Sequence, residues 1–450
     1  MEASEISEPA SQGDVRNYPQ SGMSDVSASQ SRIAFHYPNF RYYQAARFLA
    51  ITASEMQSVA VGWQVYEITR RPLDLGLVGL AQFLPGILLF LLAGHTADRI
   101  RRQHIIATCY VGFATCSLLL LAFTVHGRRS VEPIYVILVL IGVVRAFNGP
   151  AGQAFLPMLV PEEHFPNAVA WGSSIFMSAT IFGPTVGGIL YGWTGGPNVV
   201  YGTAAVALGI AFIFVAMIRI QPAQHPRKSA SADTVMAGFR YVIENKLVLG
   251  AISLDLFAVL LGGAVALLPV YAKEILFVGP WGLGLLRAAP GVGAVITAIA
   301  VAHWPLRKRA GTTMLWCVAG FGAFTVIFGL SRNVVVSLLA LVLVGATDMI
   351  SVVVRSTMVQ LATPDEMRGR VSAVNMIFVG ASNEFGQFES GVTANWFGTV
   401  PAVVLGGIGT LVVVALWSAL FPELRRVNEL TPGLRKVIPQ EPAVTADPND

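Results

Sequence analysis

From about residue 40 onward the chain alternates long apolar stretches, most of them interrupted by one polar or ionisable residue, with short connections holding Gly, Pro, Arg and Asp. The apolar stretches fall at about 43–67, 75–97, 103–125, 134–158, 168–193, 198–219, 247–272, 281–303, 311–331, 334–360, 371–397 and 399–421. Each is far longer than the roughly ten alternating residues of a barrel strand, and backbone groups cannot stay unpaired in lipid. The pattern therefore predicts transmembrane helices and an all-α integral membrane fold. Length agrees: without the polar ends, 1–40 and 422–450, about 381 residues remain, enough for about twelve spans at roughly 30 residues each. Both ends read as disordered tails, and the first forty residues contain no apolar core of a signal peptide.

The connection at 220–246 is the longest and divides the chain into six spans (41–219) and six more (247–421). Within it Val235, Phe239, Val242 and Ile243 recur at helical spacing, so Asp233–Asn245 is expected as an amphipathic helix on the membrane surface. A shift of 203 residues lays Pro161, Glu163, Ala170, Gly183, Gly188, Trp193 and Gly195 on Pro364, Glu366, Ala373, Gly386, Gly391, Trp396 and Gly398. A duplicated six-span unit would put a match there.

Composition sharpens this picture. Apolar residues make up 54% and charged residues 12%, against about 45–50% and about 25% in soluble domains. If both termini are cytoplasmic, 20 Lys and Arg lie on that side, against Arg70, Arg71, Arg128, Arg129, Lys273 and Arg332 on the other. The positive-inside rule then sets the orientation. The net charge of +4 forms no single basic patch, so no nucleic-acid partner is expected. Cys109, Cys116 and Cys317 fall inside predicted spans at spacings that suit no metal site. No phosphate loop or clustered Ser/His/Asp set points to an enzyme, and no cofactor is implied.

Three motifs carry a resemblance. Gly94-His-Thr-Ala-Asp98-Arg99-Ile-Arg101-Arg102, between spans two and three, resembles the Gly-x-x-x-Asp-Arg-x-x-Arg loop of the major facilitator superfamily. Physically, Gly94 would permit close helix approach, Asp98 could face a helix N-terminus, and Arg99 and Arg102 could pair with carboxylates. The alternative is an ordinary positive-inside loop; the matching place in the second half, Arg307-Lys308-Arg309, lacks a well-placed Asp. In span four Arg145, Asn148, Gly149 and Gly152 share a face, similar to the superfamily's Arg-x-x-x-Gly motif of proton-coupled exporters. An unpaired mid-span Arg costs about 2.5–3.5 kcal/mol, so Arg145 should face the interior. Span five holds Gly183-Pro184-Thr-Val-Gly187-Gly188, similar to the Gly-Pro-x-x-Gly-Gly signature of the superfamily's antiporters. Its partner in span eleven, Gly386 to Gly391, lacks the Pro.

Further ionisable groups inside spans are Glu55, Asp255, Asp348, Arg355, Glu384 and Glu389. Each is a functional candidate because a charge facing lipid is expensive; the alternative for each carboxylate is half of a structural ion pair. Asp348 and Arg355, seven residues apart, lie about 10 Å apart along one helix and are not expected to pair. Asn383, Glu384 and Gln387 form one polar stripe and Thr52, Glu55 and Ser58 another. Arg47 and Arg287 are expected to snorkel from span ends.

Over about residues 38–420, including Phe40 to Phe48 and Ala237-Gly238-Phe239-Arg240, the chain resembles the enterobactin-exporter branch of the superfamily. That resemblance implies two six-helix bundles related by a pseudo-two-fold axis along the membrane normal, in a bacterial inner membrane. It further implies a monomeric exporter of a siderophore or lipophilic compound, driven by protons and working by alternating access. Glu55 and Arg145 are the candidates for proton coupling, with Glu55 as the proton carrier and Arg145 beside it competing with the proton. Asn148, Asp255, Asp348, Arg355, Asn383, Glu384 and Gln387 are candidates to line the cavity, and Asp98 is a candidate gate. Two other readings stay open: an importer or facilitator of a small nutrient, and a membrane sensor or scaffold that moves nothing.

Overall fold

The structure, a computed structural model, describes residues 32–127, 130–219, 232–304 and 309–430. The outer parts of both tails and the stretch 220–231 lie outside these. Every regular element among the described residues is helical. The first-half helices are α1 (Pro38–Thr69), α2 (Pro72–Leu88), α3 (Phe90–Arg99), α4 (Arg102–Val125), α5 (Glu132–Phe155), α6 (Phe165–Thr194) and α7 (Asn198–Ala216). The surface helix α8 (Ala232–Glu244) follows. Then come α9 (Lys246–Gly262), α10 (Gly279–His303), α11 (Ala310–Leu330), α12 (Val334–Ala362), α13 (Asp365–Phe397) and α14 (Thr399–Leu420).

Local chemistry sets these boundaries. Proline opens α1, α2, α5, α6 and α10, where its missing N–H costs nothing. Asn245 caps α9 by accepting from the Val248 amide at 3.1 Å, and Asn333 caps α12 by accepting from the Val335 amide at 2.9 Å. Gly195 ends α6 with φ +68°, in the left-handed region.

Nine helices among the described residues are long and apolar enough to cross a membrane, counting the continuations of α5, α6 and α9. α2 has 17 residues and is shorter. α1 and α13, of 32 and 33 residues, are long enough but are not among the nine. Both carry polar stripes that the packed bundle must shelter.

Four sequence expectations are corrected. The second span is not one helix: Pro85 cannot donate to the turn before it, and the chain bends at Leu89 between α2 and α3. The seventh span breaks at Gly263, continues as a 3-10 turn at Ala264–Leu267 and closes with a π-turn at Tyr271–Ile275. The break is covered by α13: a Cβ on Gly263 would lie 2.9 Å from Gly386, and Ser390 Oγ donates to the Gly263 carbonyl at 3.0 Å. Residues 32–40 are ordered rather than tail, with Ala34 and Phe40 fully buried. Residues 422–430 also pack on the bundle, where Leu424 is buried and the Gly311 amide donates to the Val427 carbonyl.

In the first half, α1 packs on α6 and α7, α4 on α5 and α7, and α2 on α5. In the second, α12 packs on α10 and α11, α11 on α14, and α9 on α13 and α14. The halves meet along two seams, α6 on α10 and α2 on α13. Both seams are backbone-to-backbone contacts at glycines: a Cβ on Gly188 would lie 2.6 Å from the Pro280 carbonyl, and one on Gly391 2.9 Å from Gly76 Cα. The α8 helix packs on α13, where Gly238 meets the Arg370 backbone. Its Met236 and Ile243 are left exposed.

Charges clasp the halves at the Arg70 end of the bundle. Lys273 Nζ lies 3.1 Å from Glu67 Oε1 and 5.1 Å from the Trp63 ring centroid, Arg70 pairs with Glu274 at 3.5 Å, and Tyr191 donates to Glu67 at 3.0 Å. The π-turn puts Lys273 and Glu274 on adjacent positions facing α1. At the opposite end α3 packs on α5 and α8 on α13, so each half packs on itself there. This state is closed at the Arg70 end.

The clasp makes a charge-swap prediction. Glu67→Lys or Lys273→Glu alone sets like charges together and loosens this end. A cysteine placed at the fully buried Leu283, with the native cysteines replaced, should then label at least about tenfold faster in detergent. The double reversal should return labelling close to the starting rate.

Candidate functional site

The ionisable residues inside the bundle sort into two groups. The first lies where α1, α5, α10 and α13 face one another between the halves. Arg145, on α5, pairs with Glu384, on α13, at 3.6 Å. The Arg145 side chain is 63% exposed although it sits mid-helix, so it faces an open space, while Glu384 is 15% exposed. Gln387, one turn along α13, donates to Glu384 at 3.3 Å. Gly79 of α2 makes room for this pair: a Cβ there would come within 3.2 Å of Glu384 Oε2.

From α10, Arg287 reaches across the seam and donates to Ser58 Oγ of α1 at 2.7 Å. This corrects the expectation that Arg287 snorkels: it points into the gap between the halves. Arg47 also turns inward, donating to the Gly172 carbonyl at 3.3 Å beside the Phe176 ring. Sequence reasoning missed Arg287 as a site residue. The signal was present in the small residues after it, Ala288, Ala289, Gly291 and Gly293, which suit a helix buried against neighbours.

The expected pairing of Glu55 with Arg145 is absent in this state, since Arg145 crosses to Glu384 instead. Glu55 is half-buried, its Cβ against Gly183 of α6. Asn148 is half-buried on the Arg145 face, and Asn383 is exposed with its amide donating to Val379 of its own helix at 2.8 Å. Glu389 accepts from Thr393 at 2.7 Å.

The second group lies inside the second half. Asp255 of α9 and Arg355 of α12 form a buried ion pair. Asp348 and Ser351 line a small void with Asp255, Val318 and Phe321. Asp255, Asp348 and Arg355 are thus grouped between α9, α11 and α12 rather than around Glu384. An ion pair out of water contributes little net stability, but leaving one member alone is costly.

The motif glycines divide their work. Gly183 and Gly187 face α1, where added Cβ atoms would meet Glu55 at 2.6 Å and Met56 at 2.8 Å. Pro184 and Gly188 face α10, with a Cβ on Gly284 only 2.5 Å from the Pro184 carbonyl. One face of the motif builds the first half and the other builds the seam. In the loop motif, Arg102 donates to the Ala154 carbonyl at 3.1 Å and Arg99 is exposed. Contrary to expectation, nothing among the described residues lies within 4 Å of a Cβ placed on Gly94 in this state. Asp98 lies on α3, and its side chain is outside the described residues.

The seam yields a packing prediction. Gly188→Val drives two methyls into the α10 backbone and should cost about 1–3 kcal/mol, read as a lowered melting temperature of the purified protein. Gly149→Ala, where an added Cβ meets nothing within 4 Å, should leave the melting temperature unchanged or higher.

Comparison with known proteins places this geometry. The profile of the transmembrane secretion effector family of major facilitators matches residues 31–446. Among curated relatives, the enterobactin exporter EntS of Shigella boydii serotype 4 (strain Sb227) is 28% identical over 412 residues, covering 88% of this chain and 95% of the relative. EntS of Escherichia coli (strain SMS-3-5 / SECEC) is also 28% identical, with the same coverage. The fold is similar to that of the nucleoside transporter NupG, with a TM-score of 0.69 at 13% identity over 85% of this chain and 99% of that one. A bacterial homologue of the iron transporter ferroportin, solved in an inward-facing state, superposes with a TM-score of 0.64 at 14% identity, over 85% of this chain and 98% of that one. These relatives and neighbours are transporters, not enzymes. The chain is a multi-pass membrane protein that belongs to the transmembrane secretion effectors of the major facilitator superfamily.

Proposed function

We propose that this protein is a proton-coupled exporter of a siderophore or a similar lipophilic compound in a bacterial inner membrane, working by alternating access. The observation that carries the reading is the Arg145–Glu384 pair, which joins the two halves through an open space midway along their helices. The family match and the name of the curated relatives support export and a siderophore as cargo.

In this reading α1 to α7 form one six-span bundle and α9 to α14 the other, with α1, the bent α2–α3 pair and α13 completing twelve spans. Both termini and the 220–246 connection are cytoplasmic, and the Arg70 end faces outward. The described state is then closed outside, held by the Glu67–Lys273 and Arg70–Glu274 pairs. Cargo enters between the halves from the cytoplasm, in contact with Asn148, Asn383, Glu384 and Gln387. Arg145 and a proton compete for Glu384, while Glu55 carries the coupling proton. Such competition gives two alternating charge states without any covalent step. Asp98 and Arg99 gate the cytoplasmic end when it closes.

Two measurements test this. In proteoliposomes, enterobactin or a lipophilic dye should be expelled along an imposed pH gradient, and an uncoupler should abolish the effect. Glu55→Gln should still bind cargo and carry it downhill, yet lose the response to the gradient. Full gradient-driven efflux by Glu55→Gln would move the proton site to Glu384. Impermeant thiol labelling of intact cells should reach cysteines placed at 128–130 but not at 227–230; the reverse pattern overturns the orientation.

A further inference from the structure

The charges between the halves come in a reciprocal set. The first half supplies one carboxylate, Glu55, and one guanidinium, Arg145; the second supplies Glu384 and Arg287. Arg145 crosses the seam to Glu384 at 3.6 Å, and Arg287 crosses it in the other direction to Ser58 at 2.7 Å. Ser58 lies one turn beyond Glu55 on α1, and residues three apart on a helix face have Cβ atoms about 5–6 Å apart. Among the described residues Glu55 has neither hydrogen-bond nor ion-pair partner, and Ser58, which is neutral, is the partner of Arg287. Two opposite charges thus stand one helical turn apart across the seam.

We propose that Arg287 is the counter-ion of Glu55 and releases it when Glu55 takes up the transported proton. The inference rests on the exporter reading and adds a residue to it. Other charges around Glu55 are accounted for: on its own helix Arg47 is held by the Gly172 carbonyl, and on α5 Arg145 is engaged by Glu384. α6, packed directly on Glu55, carries no Asp, Glu, Lys, Arg or His, and its one titratable group, Tyr191, donates to Glu67; on α13 Glu389 accepts from Thr393. Among the described residues Arg287 is therefore the cation beside Glu55 that has no ion-paired carboxylate.

The chemistry is a proton transfer alone. A hydronium at the open side gives its proton to a Glu55 carboxylate oxygen and departs as water; Arg287, protonated throughout, then keeps Ser58 or turns to cargo. When the proton leaves, the carboxylate recaptures the guanidinium and pulls α10 toward α1. With Glu55 ionised the four charges balance; with Glu55 protonated the set carries one net positive charge, on Arg287, which Ser58 or cargo then has to cover.

The test compares downhill efflux of enterobactin from proteoliposomes by Arg287→Gln, Arg287→Lys and the double variant Glu55→Gln/Arg287→Gln. Arg287→Gln strands the Glu55 carboxylate, so flux should fall at least about tenfold at about pH 8 and recover at about pH 5, where a proton replaces the lost cation. The double variant, neutral at both positions, should be fast at both pH values and indifferent to a gradient. Arg287→Lys, which keeps the charge, should stay within about threefold of the original protein. A double variant as slow as Arg287→Gln would overturn the proposal, as would an Arg287→Gln protein with unchanged flux. Melting temperatures separate these results from misfolding, since a folding defect would not recover at low pH. If Glu55→Gln alone keeps full coupling, the exporter reading's choice of proton carrier fails first, and that result is distinct from failure of the pairing.

Discussion

An ionised side chain taken out of water must find its opposite, and most of what is distinctive in this bundle follows from where that happens. A buried charge left alone costs several kcal/mol, about the whole stability margin of a small domain. Asp255 and Arg355 meet the requirement inside one half, so their partnership does not depend on the other half. Arg145 and Glu384 meet it between halves, and the more exposed pairs Glu67 with Lys273 and Arg70 with Glu274 cross there too. Only pairs of the second kind must break or exchange when the halves move, so only these can report one half's position to the other.

Glycine makes those crossings possible. Side-chain pairs of this length reach across a seam only if the backbones come very close, and the two seams achieve this with Gly188 against Gly284 and Gly76 against Gly391. The contacts lie toward the Arg70 end, beside the charged clasp. Closure there is thus a matter of shape first and charge second. Ion pairs exposed to water are individually weak, which suits a clasp that must open during every cycle.

Much of this was legible in the sequence. Helical class, most span limits, the surface helix expected at Asp233–Asn245 and found at Ala232–Glu244, and the close-packed glycines Gly183, Gly187 and Gly188 follow from hydropathy, periodicity and residue size, all local properties. The breaks at Leu89 and Gly263 were harder, because one depends on how a proline bends a helix within a bundle and the other on Gly386 and Ser390, which are more than a hundred residues away. Site partners were the least legible. Glu55 and Arg145 were paired by being in the same half, but the packing of α2 on α13 brings Glu384 to Arg145. Arg287 looked peripheral because it lies close to the start of its apolar stretch; the structure extends α10 back to Gly279 and sets it against α6, which carries Arg287 into the seam.

The polarity of α1 and α13 takes its meaning from this arrangement. These are the two longest helices, at 32 and 33 residues, yet neither is apolar enough to be recognised as a span by composition. A helix facing lipid could not hold Glu55 and Ser58, or Glu384 and Gln387, without exposing them to hydrocarbon. Surrounded by α6, α7 and α10 in one case and α2, α9 and α14 in the other, they need not face it. The residues that weaken each helix as an independent membrane span are the same residues that meet between the halves. The shelter of these two helices therefore comes from neighbours both in their own half and across the seam, and the residues that meet between the halves draw on that same set of contacts.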